Sequence, residues 1–216
     1  MSQHTLWLLR FTYKKLKEKL NVSDSKKLFH EQFPYVIPGL YKRLVDEMIV
    51  ELNLLNHQIE FSQDYLFCYG IIETFKELTR GYQPEDHLNL LFESLCNATN
   101  FDSKHIKEVY EQSKKEFNEK SLKEITNLFV EKNKTNLYPS RILNLGVFLI
   151  ISNSKEFKDK KDSEKNDIVS ENIKSLNLPI EKAEKDIGLY KSSITKLKQA
   201  KELIEETKTK TKGKKS

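Results

Sequence analysis

Residues 139–152 read PSRILNLGVFLIIS, and from Ile142 to Ile151 the only polar residue is Asn144. Wound as a helix, this stretch is apolar almost all round, through Leu145, Val147 and Phe148. A short helix with no polar face needs neighbours on every side, so it belongs at the centre of a bundle. It is about half the ~20 residues that a membrane-spanning helix requires. Gly146 stands among Leu143, Val147 and Ile150, a position where a neighbouring helix can bring its backbone close. The expected fold is therefore all-α, a multi-helix bundle packed around residues 139–152.

The segments before it carry helical periodicity. From Pro38, the residues Tyr41, Leu44, Val45, Met48, Leu52, Leu55 and Ile59 recur at steps of three and four, the signature of one amphipathic face. Leu66 to Leu78 forms a second such helix, closed by Gly81. Pro84, Glu85 and Asp86 are expected to open a third, with Leu88, Leu91, Phe92 and Leu95 on its core side. Asp102 is the predicted cap of a helix bearing Ile106, Val109, Tyr110 and Phe117. Ser121 and Glu124 form a capping box ahead of Leu122, Ile125, Leu128 and Phe129. Near the start, Val22-Ser23-Asp24-Ser25 offers cap oxygens to a short helix that Pro34 ends.

Beyond the central segment, residues 152–166 are charged, with Phe157 the one apolar side chain, and are expected to form a loop. Ile168, Val169, Ile173 and Leu176 predict a short helix. After Pro179 the sequence becomes most regular: Ile180, Ala183, Ile187, Tyr190, Ile194, Leu197, Lys201 and Ile204 alternate steps of three and four. That is a heptad seam of a long C-terminal coiled-coil-like helix, broken once by Lys201. A stripe of this kind needs a cover, from its own bundle, a second copy or a partner. Ile187, Tyr190, Ile194, Leu197 and Ile204 are therefore the candidate partner-binding residues. The resulting organisation is a basic amphipathic extension over 1–21, a bundle over 22–151, a charged loop over 152–166, a short helix and long heptad helix over 167–207, and a basic disordered tail over 208–216.

Composition agrees with this class. The chain has 216 residues with only 6 Gly and 5 Pro, too few for a β-sandwich or barrel with many tight turns. Its two cysteines, Cys68 and Cys96, make no disulfide framework and fit a reducing compartment. The net charge of +5 is unevenly divided: residues 1–20 carry +4, residues 208–216 carry +5, and the stretch between them carries −4. Basic ends on a mildly acidic body suit an anionic lipid surface, weakly bound, better than nucleic acid. The candidate membrane-surface residues are Arg10, Lys14, Lys15, Lys17, Lys208, Lys210, Lys212, Lys214 and Lys215.

Catalytic signatures are missing. No glycine-rich phosphate loop occurs, and none of His4, His30, His57, His87 and His105 sits in a metal-ligand spacing. Cys68 and Cys96 read as small buried hydrophobes. The acidic pairs Asp46-Glu47 and Glu85-Asp86 read as solvated helix residues. The residues favour a protein without catalysis, cofactor or metal. A helical enzyme whose site forms only in the fold and a nucleic-acid-binding helical protein are the alternatives.

Several pieces in collinear order resemble one family. They are Val22-Ser23-Asp24-Ser25-Lys26-Lys27, Leu40-Tyr41-Lys42-Arg43-Leu44-Val45-Asp46-Glu47, Tyr69-Gly70, Gly81-Tyr82-Gln83-Pro84-Glu85, Phe92-Glu93-Ser94-Leu95-Cys96 and Tyr138-Pro139-Ser140-Arg141. Leu178-Pro179 and Glu184 through Tyr190 continue the series to Gln199-Ala200-Lys201-Glu202-Leu203. Over residues 22–206 the chain resembles the thylakoid-formation protein family, the Psb-type photosystem II biogenesis factors of cyanobacteria and plastids. The resemblance implies an all-helical, non-enzymatic factor at the cytoplasmic face of the thylakoid, peripheral and partly soluble. It further implies a role in thylakoid formation and in photosystem II biogenesis and repair, with FtsH-type membrane proteases and the photosystem II assembly machinery as partners.

Overall fold

The structure is a computed structural model that describes residues 20–118, 120–132 and 137–212. Among these residues it contains ten helices and no strand: α1 (Val22–Gln32), α2 (Gly39–Asn56), α3 (Tyr65–Leu78), α4 (His87–Ala98), α5 (Ser103–Asn118), α6 (Leu122–Lys132), α7 (Arg141–Asn153), α8 (Lys155–Lys158), α9 (Asp162–Ser175) and α10 (Ile180–Lys212). The fold is all-α, as the periodicity predicts.

α7 is the centre. Every residue from Ile142 to Ile151 is buried, and α3, α9 and α10 surround it. Its most intimate neighbour is α3, which is itself buried at Leu66 through Ile72. Both helices place a glycine at the crossing. A Cβ on Gly146 would stand 2.1 Å from the Leu66 carbonyl oxygen, and one on Gly70 would stand 2.2 Å from the Ile142 carbonyl oxygen. No side chain fits there, so the two backbones meet directly.

Caps fix the helix starts. Asp64 accepts from the Phe67 N–H at 2.9 Å and Ser140 from the Leu143 N–H at 3.1 Å. Asp102 accepts from the Lys104 and His105 N–H groups. The Ser121–Glu124 capping box is reciprocal, with Ser121 N–H on Glu124 Oε2 at 2.8 Å and Glu124 N–H on Ser121 Oγ at 3.3 Å. Such caps each contribute about 1 kcal/mol.

Six expectations are corrected. The α1 cap is Asn21, whose Oδ1 accepts from Asp24 N–H at 2.9 Å, while Ser25 is buried and accepts from Asn53 Nδ2 at 2.8 Å. Asn53 also donates to the Leu20 carbonyl at 2.6 Å, so residues 20 and 21 are tied to the bundle and are not part of a separate extension. The rest of residues 1–21 lies outside the described residues. Pro84 precedes α4 in a turn closed by His87 N–H on the Pro84 carbonyl, and the helix begins three residues later.

The stretch 152–166 is not a loop. Ser154 caps the single turn α8, which buries Phe157, and α9 begins at Asp162. Charged residues there serve as the solvated face, and Asp162 and Glu164 favour the positive end of α9. Nor does the bundle close at residue 151, since Val169, Ile173, Ala183, Ile187 and Leu197 all join the core. Finally, α10 runs on to Lys212 where a disordered tail was expected from 208. Lysine is a good helix former, and the first breaker is Gly213.

Candidate functional site

α10 is the feature the sequence singles out. With 33 residues it is about 50 Å long at 1.5 Å per residue. Its first half lies on the bundle. Ala183, Ile187, Tyr190 and Leu197 are buried, and Ile180 and Ile194 are half-buried. Tyr190 packs edge-on to Phe148 of α7 at 6.2 Å, and Lys191 holds its ammonium 5.1 Å from the same ring. Burial, helped by the carboxylates of Glu77 and Glu73, raises the Tyr190 phenol above its ordinary pKa.

A polar joint fixes the register of this docking. Asp186 is buried at 8% exposure, and its Oδ2 accepts from Asn144 Nδ2 at 2.9 Å. Asn144, the one polar residue in the apolar run of α7, is thereby tied to α10. Lys182 donates to the Pro139 carbonyl at 2.7 Å, one turn away. Glu51 of α2 completes the cluster and accepts from the Arg141 backbone N–H. Burial holds its carboxyl above the ordinary value, and the Arg141 and Lys182 charges oppose that shift only in part.

Farther along, α10 crosses the start of α2 and the turn after α3. The Lys201 ammonium lies 5.7 Å from the Tyr41 ring centre. A Cβ on Gly81, whose φ is +76°, would come 3.2 Å from Lys201 Nζ. Lys201 interrupts the heptad because it lies over an aromatic ring and the turn beyond α3. Past it the helix exposes two apolar residues together, Leu203 at 63% and Ile204 at 43%.

The five candidate partner-binding residues therefore separate. Ile187, Tyr190 and Leu197 are covered by the protein's own core and are not available, because α10 packs along α7, α9 and α3. Ile194 is half-buried, and Ile204 alone among the five is exposed. Leu203 belongs with Ile204 but escapes the heptad reading because it falls off the a/d seam; its signal was the adjacent apolar pair after the stripe ends. Of the candidate membrane-surface residues, Arg10, Lys14, Lys15, Lys17, Lys214 and Lys215 lie outside the described residues. Lys208, Lys210 and Lys212 continue the same helix.

The groups that could carry chemistry are engaged elsewhere. Burial pushes the Cys68 and Cys96 thiols up to about 12, so both remain protonated and unreactive at neutral pH. Asp46 pairs with Lys26 at 3.2 Å and Glu47 with Arg43 at 2.8 Å on the surface. His57 Nδ1 is 2.7 Å from the Asn53 carbonyl oxygen, and His87 stacks on Tyr35 at 3.8 Å. Among the described residues no three His, Cys, Asp or Glu side chains converge in a way that could hold a metal ion. No helix among them is long and apolar enough to cross a membrane.

Comparison with known proteins places this architecture. The family model described as thylakoid formation protein matches residues 21–216. Protein Thf1 of Prochlorococcus marinus strain MIT 9312 is 65% identical over 199 residues, which covers 92% of this chain and 99% of that one. Protein Thf1 of Synechococcus sp. strain CC9605 is 36% identical over 193 residues, covering 86% and 87%. The solved structure of Psb29 superposes with a TM-score of 0.78 over 91% of this chain and 98% of that one, at 24% identity, and shares the fold. With the match running from the cap of α1 through the whole of α10, the chain belongs to the thylakoid formation protein family.

Proposed function

We propose that this protein is a non-catalytic auxiliary factor in thylakoid formation and in photosystem II biogenesis and repair. It acts as a scaffold that associates with an FtsH-type membrane protease at the cytoplasmic face of the thylakoid. The observation that carries the scaffold reading is the division of α10. One face is consumed by the bundle as far as Leu197, and the helix then presents Leu203 and Ile204 outward before five lysines over 208–216. An apolar pair next to concentrated positive charge suits a partner or lipid surface with an apolar spot and acidic surroundings. Family membership supports the physiological setting, and the buried thiols and paired surface carboxylates support a role without catalysis.

Affinity purification of tagged protein from thylakoids, with partners identified by mass spectrometry, tests this reading. Recovery of the FtsH-type protease with wild type, and its loss with Leu203→Glu plus Ile204→Glu, is the expected result. Equal recovery from both would remove α10 as the contact. Absence of the protease from both would remove the partner.

A further inference from the structure

On the face formed by α3, α4 and α5, away from the α7–α10 joint, lies a recess of about 670 Å³. Its walls are apolar, with Phe75 and Ile72 from α3, Leu88 and Phe92 from α4 and the Tyr110 ring from α5. Phe75 and Phe92 meet edge to face at 5.1 Å. Cations from two sides stand on these rings. Lys76 Nζ is 4.2 Å from the Tyr110 ring centre, and Lys107 Nζ is 5.8 Å from that of Phe92. Arg80 is a third cation at the recess.

Size and charge together select the occupant. The volume falls in the range of small-molecule sites, roughly 300–1,000 Å³. At ~30 Å³ per water-sized unit it holds on the order of twenty non-hydrogen atoms. One turn of helix with its side chains already fills roughly 500 Å³, so no more than about one turn of a partner helix fits. Exposed large hydrophobics such as Val36, Leu54, Ile59 and Leu203 all lie outside the lining. The exposed apolar side chains thus add nothing to the recess itself, and its volume matches one chain with its head group.

Lys76 pairs with Glu73 at 3.1 Å, Lys107 with Glu93 at 2.8 Å and Arg80 with Glu77, and none of these three carboxylates lines the recess. The lining does include Glu85 and Glu111, both exposed to solvent. Partly exposed ion pairs are worth only ~0–1 kcal/mol, so the ammonium groups can also serve an incoming anion.

We propose that this recess binds a single-chain anionic amphiphile taken as a monomer. Its acyl chain lies between Phe75, Leu88 and Phe92, and its carboxylate or equivalent head is held by Lys76 and Lys107. The site borders α10 at Gly81, beside Lys201, and takes no lining residue from α10.

Calorimetric titration of the full chain with dodecanoate, below its micelle concentration, and with dodecanol tests it. Dodecanoate is expected to bind saturably at one site. Lys76→Gln plus Lys107→Gln raises its Kd about tenfold and leaves that of dodecanol within twofold. Lys76→Arg plus Lys107→Arg keeps the charge and stays within threefold of wild type. Leu88→Glu, at a half-buried position, abolishes binding of both probes while circular dichroism reports an intact fold. Absence of saturable binding overturns the proposal, as does equal loss with Gln and Arg or full binding by a folded Leu88→Glu. Co-sedimentation with anionic vesicles should be unchanged by Leu88→Glu. Its loss would assign the recess to bilayer lipid and overturn the monomer.

Discussion

Gly70 and Gly146 face each other across the α3–α7 crossing: a Cβ built on Gly146 would lie 3.4 Å from the Gly70 Cα, and one built on Gly70 only 2.9 Å from the Gly146 nitrogen. The nearest obstacles are backbone atoms of the opposite helix, which cannot turn aside as a side chain can. The pair therefore sets the distance between the two most buried helices of the protein.

Gly146→Leu is expected to overpack this crossing and destabilise by at least the ~1–3 kcal/mol usual for inserted methylenes. Even Gly70→Ala should be costly, because its new methyl meets the Ile142 carbonyl. At 2–4 °C per kcal/mol for a chain of this size, thermal melting should fall by roughly 5 °C or more. A melting temperature equal to wild type for both would show that α3 and α7 separate without cost.

Asp186→Ala removes the acceptor of Asn144 Nδ2, and Asn144 Oδ1 already makes no hydrogen bond among the described residues. A buried amide left without partners costs ~1–3 kcal/mol. Because the bond joins α7 to α10, the loss should also make α10 more susceptible to limited proteolysis. Stability loss with unchanged cleavage of α10 would mean that the apolar contacts alone hold the helix in place.

Glu51 gives a dependence on pH with a defined sign. Its carboxyl is held above the ordinary value of 4.5 chiefly by burial. A raised native pKa means that the favourable contribution is complete below the unfolded value and disappears as pH rises through the native one. Glu51→Gln should therefore gain stability relative to wild type between pH 4 and pH 7, as read by urea unfolding across that range. A stability difference that does not change with pH would remove this assignment.

The heptad stripe separates two kinds of substitution. Leu197 is 5% exposed, so Leu197→Glu buries a carboxylate and should strongly lower the melting temperature. Leu203→Glu, at 63% exposure, should leave it within about 2 °C, since surface changes stay near ±0.5 kcal/mol. With most of the stripe already covered, the protein is expected to sediment as a monomer in analytical ultracentrifugation. A stable dimer dissolved by Leu203→Glu plus Ile204→Glu would instead assign the exposed pair to self-association.

Removing residues 208–216 should weaken co-sedimentation with vesicles of anionic lipid, and raised salt should weaken the remainder, because screening falls to ~8 Å at physiological ionic strength. Binding unaffected by either change would exclude the lysines as its source.

The helices themselves were legible in the residues because a helix closes its hydrogen bonds four residues away, and its apolar period and caps are local. That is why the Ser121–Glu124 box, the Asp102 cap and the enclosed run from Ile142 to Ile151 could be read without coordinates. Even the close approach at Gly146 was legible, since a glycine inside an apolar helix marks it. Its counterpart Gly70 was not, because which two helices cross is decided by packing across 75 intervening positions. The same limit applies to α10: periodicity showed that Ile187, Tyr190, Leu197 and Ile204 share a stripe, and only the packing of α10 on the bundle decided that three of them are covered and the fourth is not. Residues 152–166 misled because charge marks a solvated face as readily as a loop, until Phe157 finds its place in the core. The recess between Phe75, Leu88 and Phe92 left no local trace, because a concave surface is made by three helices at once and by no one of them.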